Sequence, residues 1–338
     1  MKKVIRKYLL LPFSLIYGLT TELRNFLYDK EILPVTSFDI PIINIGNLSV
    51  GGTGKTPQVE YLIRLLKDRY KMAVISRGYK RKTKGFYLAD HTSTPDKIGD
   101  EPFQIYQKFP EIILAVSEKR VPGIKKIINR FQPDIILLDD AYQHRSVKAG
   151  LNIVLTPYHD LFTDDFILPS GNLRECKHQI KRADLLIVTK SPEEIDREKI
   201  ENKIRKFFRK DLFFSKIAYE NTLIGKEKNL KIDDLKEFEV LVVTGIANPA
   251  SLFEYLSKKS INFDSLKFGD HHTYSQKDVQ QIKASFDKLK GNRKIILTTE
   301  KDYVKLVKTG LPVFYLPIKT EIENEELFNK KILEYVDS

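Results

Sequence analysis

The chain has 338 residues, 42% hydrophobic and 30% charged, which excludes wholesale disorder and favours two domains over a single core. Its one cysteine, Cys176, excludes a disulfide framework and, at this level, any cysteine-based zinc site. A formal charge of +12 points to anionic partners (nucleic acid, phosphorylated metabolites or anionic lipid) without choosing among them.

Lys2, Lys3, Arg6 and Lys7 precede an apolar run from Tyr8 to Leu19. The charge-free stretch, Tyr8 to Thr21, is shorter than the roughly 20 residues of a membrane-spanning helix. No alanine precedes Ala73, and charges return at Glu22 and Arg24, so a cleaved signal peptide is not expected. Residues 4–28 read instead as one or two amphipathic helices broken near Pro12 and Gly18. Such a segment either packs on the protein's own core or lies in the headgroup layer of a membrane. Its four basic side chains would add on the order of 4 kcal/mol beside an anionic leaflet.

From Ile42 to Ile45 a short β-branched run has the character of a buried parallel strand. A glycine-rich turn follows, then helical spacing at Val59, Leu62, Ile63 and Leu66. Further strands are expected at Met72–Tyr79, Ile112–Val116, Asp134–Asp140, Leu151–Thr156 and Asp184–Lys190, with a helix at Val121–Phe131 among the connections. Residues 199–210 carry an apolar stripe of Ile200, Ile204, Phe207 and Phe208 on a basic helix, expected to pack its stripe and solvate the rest, with a membrane-facing role as the alternative. A second series comprises Val240–Ile246, a helix at Pro249–Lys258, Lys294–Asp302 and Val313–Pro317. Repeated strand–helix–strand units imply a mostly parallel α/β sheet with helices on both faces. The expected division is a helical segment at 1–35, a core domain at 36–212 and a smaller α/β domain at 213–338. Basic residues are dispersed and no nucleic-acid-binding module appears, so nucleic acid is not an expected partner.

Residues 46–57 read GNLSVGGTGKTP between that first strand and the amphipathic helix. Gly54-Lys55-Thr56 is the core of a phosphate-binding P-loop. Glycines let backbone N–H groups approach phosphate oxygens, and the helix N-terminus faces the same anion. Ser49, Val50, Gly51, Gly52, Thr53, Gly54, Lys55 and Thr56 are therefore candidates to hold a nucleoside triphosphate. Lys55 would reach the β- and γ-phosphates, and the Thr56 hydroxyl would face Mg²⁺. The strict motif has glycine where Ser49 stands. Asp139 and Asp140, closing an apolar strand, are the expected acidic partners for Mg²⁺; strand geometry points them to opposite faces and does not say which one.

Thr189-Lys190-Ser191-Pro192 lacks the aspartate of a guanine-reading motif, and Val50 stands where partitioning ATPases carry a second lysine. A kinase remains, and it needs a group to orient or deprotonate an acceptor hydroxyl. Asp100 in IGDEP and His271 in FGDHHTY are the candidates. Metal binding by the adjoining histidines is not expected, because adjacent side chains diverge and no other ligands cluster nearby.

In order, GNLSVGGTGKTP, SRGY (76–79), GDEP (99–102), AVSEKR (115–120), DDAYQH (139–144), LPSGNLRE (168–175), DHH (270–272) and TTEKD (298–302) resemble the tetraacyldisaccharide 4′-kinase family. The basic, apolar start also resembles that family's. Ala141-Tyr142 and Asn172-Leu173 depart from its usual residues and are expected to adjust loop shape rather than chemistry. The resemblance implies transfer of the ATP γ-phosphate to the 4′-hydroxyl of a tetraacylated glucosamine disaccharide 1-phosphate. It also implies a peripheral enzyme on the cytoplasmic face of a Gram-negative inner membrane, with an anionic membrane surface and the lipid as partners and no obligate protein partner. By motif position, Asp100 is the base and His271 its supporting histidine, meeting on closure if they lie apart. Arg120, Arg174 and Glu175 are implied to position nucleotide or acceptor, and Arg77, Lys80 and Arg81 are nearby cations. Two other classes remain open: a P-loop ATPase switch acting with a protein partner, and a kinase for a small soluble metabolite.

Overall fold

A computed structural model describes residues 9–246, 248–270 and 272–338. The described residues form two compact units, one from residues 9–217 and 320–338, the other from within 218–319. The first unit opens with helix α1 (Leu11–Asp29). Strand β1 (Ile42–Asn47) leads through the glycine turn into α2 (Lys55–Leu66). There follow β2 (Met72–Ser76), β3 (Tyr87–Leu88), α3 (Pro95–Ile98), α4 (Asp100–Lys108), β4 (Ile113–Val116) and α5 (Arg120–Phe131). Next are β5 (Ile135–Asp139), β6 (Leu151–Pro157), β7 (Leu185–Thr189), α6 (Arg197–Ile204) and β8 (Asp211–Tyr219).

These strands build a nine-stranded sheet in the order β15-β8-β7-β6-β1-β5-β2-β4-β3, where β15 spans Ile318–Ile322. From β8 to β4 the neighbours run parallel, and β3 pairs antiparallel at the edge. The inner strands are mostly β-branched or aliphatic and are buried at every position in β1, β2, β5 and β7, as a sheet covered on both faces requires. One face packs Val59, Leu62, Ile63 and Leu66 of α2, the other Ile124 and Ile127 of α5.

The second unit contributes β9 (Thr222–Gly225), β10 (Asn229–Lys231), β11 (Glu239–Thr244), α7 (Ala250–Lys258), β12 (Phe263–Lys267), α8 (Gln276–Lys288), β13 (Lys294–Thr298), α9 (Glu300–Leu306) and β14 (Val313–Tyr315). Its six-stranded sheet runs β10-β9-β14-β13-β11-β12, with separate cores on its two faces.

Three details differ from the sequence expectation. Of the two breaks expected in residues 4–28, the one near Pro12 is present, with Leu9 helical, Leu10 in a turn and α1 starting at Leu11 so that Pro12 sits in its first turn, where a missing N–H costs nothing, but Gly18 interrupts nothing and α1 runs on to Asp29. Residues 320–338 do not join the C-terminal domain. The final helix, α10 (Glu325–Val336), buries Phe328, Ile332 and Val336 in the first unit's core, and its Tyr335 hydroxyl donates to the Ile42 carbonyl at 3.1 Å. The helix expected at 199–210 stops at Ile204, with Phe207 and Phe208 in the turn beyond it.

Helix α1 is packed inside out. Ser14, Gly18 and Asn25 face the protein, while Phe13, Ile16, Leu19, Leu23 and Phe26 lie 50–71% exposed along the opposite face. Inward contacts are polar: Ser14 Oγ donates to Ser170 Oγ at 2.8 Å and Asn25 Nδ2 to Glu175 Oε1 at 3.2 Å. No helix among the described residues is long and apolar enough to cross a membrane.

Candidate active site

The site lies at the C-terminal ends of the central strands, where open α/β sheets bind ligands. Strands β1 and β5 are direct neighbours, with Ile45 opposite Asp139, and the Asp140 N–H donates to the Ile45 carbonyl at 2.9 Å. The glycine loop and the acidic pair thus leave adjacent strands at the same level.

Gly51 and Gly54 adopt φ of +111° and +90°, the left-handed region where a side chain would be strained. Gly54 also caps α2 without any side-chain hydrogen bond, leaving first-turn N–H groups directed at the loop's interior. Ser49, in place of the strict glycine, has no left-handed backbone and bridges antiparallel to Leu173; an extended residue suffices there. The Val50 N–H donates to Asn172 O at 2.8 Å, so Val50 fastens the loop. Asn47 Nδ2 donates to the buried Thr53 Oγ1 at 3.0 Å, Thr189 Oγ1 to Thr53 O at 2.7 Å, and Lys190 Nζ to Gly52 O at 2.6 Å. Gly46 admits no side chain, since a Cβ would lie 2.6 Å from that of Tyr142. Tyr142, one of the unusual residues in its motif, is buried and donates to Gln179 O at 2.6 Å.

The two aspartates have separate environments. Asp140, at φ +50°, lies 3.5 Å from Lys55 Nζ and 3.0 Å from Arg174 Nη1. Burial alone would raise its pKa, but Lys55 and Arg174 hold it below the usual carboxylate range. Asp139 is 2% exposed and accepts from Ser76 Oγ at 2.8 Å. Desolvation, reinforced by Glu101 and Asp140, pushes its carboxyl up to about 7. A buried carboxylate held so far from its ordinary value, beside a second carboxylate, is a hard-oxygen pair that suits Mg²⁺. The uncapped helix start and the bare left-handed glycines fit a phosphate chain in the same way.

Arg120 is 1% exposed and donates to the carbonyls of Ser117 and Asp139. It braces the strand end from behind, and burial lowers it to about 10. Glu175 is equally buried, shared between Asn25 and Arg182, and so ties α1 to the loop carrying Arg174. Arg174 also reaches Gln143 Oε1 at 3.4 Å. His144 is pushed down to about 4 by burial and by Arg120, Arg77 and Arg24, which leaves it neutral in a cationic surround. Of the outlying cations, Arg81 pairs with Glu118 and Lys82 with Asp96.

Asp100 opens α4 directly after Gly99, whose φ is +95°. A Cβ on Gly99 would sit 3.2 Å from Gly78 Cα, so the SRGY and GDEP loops pack backbone on backbone. The next residue, Glu101, is the first charge felt at Asp139, which sets the first turn of α4 beside the end of β5. His271 lies outside the described residues. Its neighbour His272 is structural, bonded to Asp278 Oδ2 at 3.1 Å and stacked on Phe268. In TTEKD, buried Asp302 accepts from the Gly245 N–H and from Thr299 Oγ1, both at 2.8 Å. Sequence reading assigned no role to Ser76, Gln143 or Glu101, although all three lie inside quoted motifs or next to one.

The structure thus brings Lys55, Asp140 and Arg174 into contact, sets Asp139 beside them, and keeps Arg120 and Glu175 as buried braces. The family model for tetraacyldisaccharide-1-P 4′-kinase matches residues 6–337. The chain is 48% identical to the tetraacyldisaccharide 4′-kinase of Flavobacterium johnsoniae, covering 98% of both chains. It is 46% identical to that of Bacteroides thetaiotaomicron, over 97% of this chain and 92% of the relative. Its fold matches a crystal structure of LpxK from Aquifex aeolicus in complex with ATP at a TM-score of 0.80 and 33% identity, over 98% and 99% of the two chains. Likeness of this order from end to end places the chain in the tetraacyldisaccharide-1-P 4′-kinase family.

Proposed function

We propose that this kinase transfers the γ-phosphate of ATP to the 4′-hydroxyl of a tetraacyldisaccharide 1-phosphate, giving lipid IVA. The reading is carried by one observation: Lys55, Asp140 and Arg174 converge where the glycine loop and the acidic strand end meet. Phosphoryl transfer demands little covalent chemistry of a protein and much positioning of charge. Residues Gly51 to Thr56 would cradle the triphosphate, with Lys55 as a mobile cation on its β- and γ-oxygens. Thr56, Asp139 and Asp140 would hold Mg²⁺, which neutralises phosphate charge when bound. As the acceptor oxygen attacks the γ-phosphorus and the bond to ADP breaks, the hydroxyl proton passes to Asp100; His271 is its supporting partner by motif position. Arg174 would meet anionic groups of nucleotide or acceptor, and Arg120 and Glu175 would act from behind by fixing Asp139 and Arg174.

The outward apolar face of α1 supports a peripheral seat on an anionic membrane surface, where a lipid acceptor resides. The cytoplasmic face of a Gram-negative inner membrane is the corresponding location, since ATP is there. The test is direct: purified protein, Mg²⁺, labelled ATP and the monophosphorylated disaccharide in detergent, resolved by thin-layer chromatography. Label on the lipid supports the assignment. Free phosphate without labelled lipid, stimulated by an added protein, would replace it with the ATPase-switch reading.

A further inference from the structure

Away from the phosphate site, three unlike metal-ligating groups converge. Glu22 projects from α1, while Cys176 and His178 flank the start of the short helical turn Lys177–Arg182. One carboxylate oxygen, the thiol sulfur and one imidazole nitrogen all lie within 4.8 Å of one another. Among the described residues this is the one such cluster of three.

We propose that Glu22, Cys176 and His178 form a binding site for a divalent transition metal of the zinc class, clipping α1 to the loop that carries Arg174 and Glu175. Zinc bonds run about 2.0–2.3 Å to N, O and S, so groups sharing one tetrahedral ion sit roughly 3–4 Å apart. The existing separations, including 2.8 Å between His178 Nε2 and Glu22 Oε2, lie within side-chain rotation of that arrangement. A lone thiol excludes multi-cysteine zinc sites but not a mixed set of three with an open fourth position. Thiolate and imidazole select zinc over the hard Mg²⁺ expected at the phosphate site.

A supporting layer is already in place. Gln179 Nε2 donates to both Glu22 oxygens at 3.2 and 3.3 Å, and its Oε1 accepts from Arg182 Nε at 3.1 Å. Outer partners of this kind orient metal ligands. His178 is half exposed and Glu22 about a third, so an ion can enter from solvent. A thiol binds such an ion as the thiolate, so metal capture releases one proton as the sulfur–metal bond forms. None of this depends on the identity of the phosphoryl acceptor.

The experiment uses tag-free, chelator-stripped full-length protein titrated with Co²⁺ in excess Mg²⁺. Because the chain has one cysteine, a thiolate-to-cobalt charge-transfer band reports Cys176 and nothing else. The expected result is a band saturating at one equivalent, displaced by one equivalent of Zn²⁺. Cys176→Ser should abolish it, and His178→Ala and Glu22→Gln should each weaken Co²⁺ binding at least tenfold. A melting-temperature rise on ATP addition certifies that each variant is folded. Absence of the band in the wild type at several equivalents overturns the proposal. So does a band whose affinity is unchanged in both His178→Ala and Glu22→Gln, which would mean that the thiol binds cobalt alone.

Discussion

Replacing Asp139 by asparagine should stabilise the ligand-free protein while removing its activity. The carboxyl is buried, is held by one hydroxyl, Ser76, and is pushed from 3.8 to about 7 by desolvation, then by Glu101 and Asp140. That displacement corresponds to on the order of 4 kcal/mol against the ionised native state. The native carboxyl binds its proton more tightly than the unfolded one, so this contribution is absent below about pH 4, grows as pH rises, and is complete above about 7. Asparagine removes the charge but buries an amide whose N–H groups need acceptors, at a cost of about 1–3 kcal/mol. The net expectation at pH 8 is a gain of about 1–3 kcal/mol, or roughly 2–10 °C in Tm for a unit of this size. Near pH 4.5 the gain should vanish or reverse. Thermal melts of both proteins from pH 4.5 to 8, without Mg²⁺ or nucleotide, read this directly. Added Mg²⁺ with ATP should then raise the wild-type Tm and barely move the variant's. A variant that melts lower than wild type by the same margin at every pH would refute the reasoning, because no buried charge would have been relieved.

Other substitutions test separate parts of the argument. Lys55→Ala and Asp100→Ala should each cut transfer at least a hundredfold in the labelled-lipid assay, with far-ultraviolet circular dichroism unchanged; wild-type-like turnover would remove the residue from its role. Phe13→Glu and Leu19→Glu on α1 should each weaken liposome flotation roughly thirtyfold, at about 2 kcal/mol per buried side chain. These are cleaner than deleting the helix, since Asn25 and Arg24 bond to Glu175 and to the Gln143 carbonyl. Gly46→Ala should destabilise by about 1–3 kcal/mol through overpacking against Tyr142, visible as a lower urea midpoint; an unchanged midpoint would show that Tyr142 yields.

Much of the first unit was legible because its physics is local. Buried parallel strands read as β-branched runs, and a phosphate loop needs glycine where φ is positive, as at Gly51 and Gly54. The difference between Asp139 and Asp140 was not local. It arises only when Ser76 and Lys55 arrive from other elements and give the pair opposite environments. Ser76 and Gln143 are short-range bracing residues with no spacing signal of their own. Helix α10 was not among the expected elements, and nothing in its apolar stripe states which of two sheets it will cover. Glu22, Cys176 and His178 lie about 150 residues apart in two segments, beyond the reach of any motif with fixed spacing. Helix α1 was ambiguous in a different way: its apolar residues allowed either a stripe packed on the core or an interfacial face, and in the structure they point outward.

The connectivity of the second unit has a practical corollary. It leaves the first at residue 217 and returns at 320, on β8 and β15, which are neighbours in one sheet. Entry and exit therefore lie side by side, and residues 218–319 form an insert that genetic surgery can lift out, bridging the gap with a short turn. The remaining core would retain the nucleotide loop, both aspartates and α10, and would lack His271. An excised core of that kind could show which half of the chemistry, gripping ATP or activating the sugar, belongs to which stretch of chain.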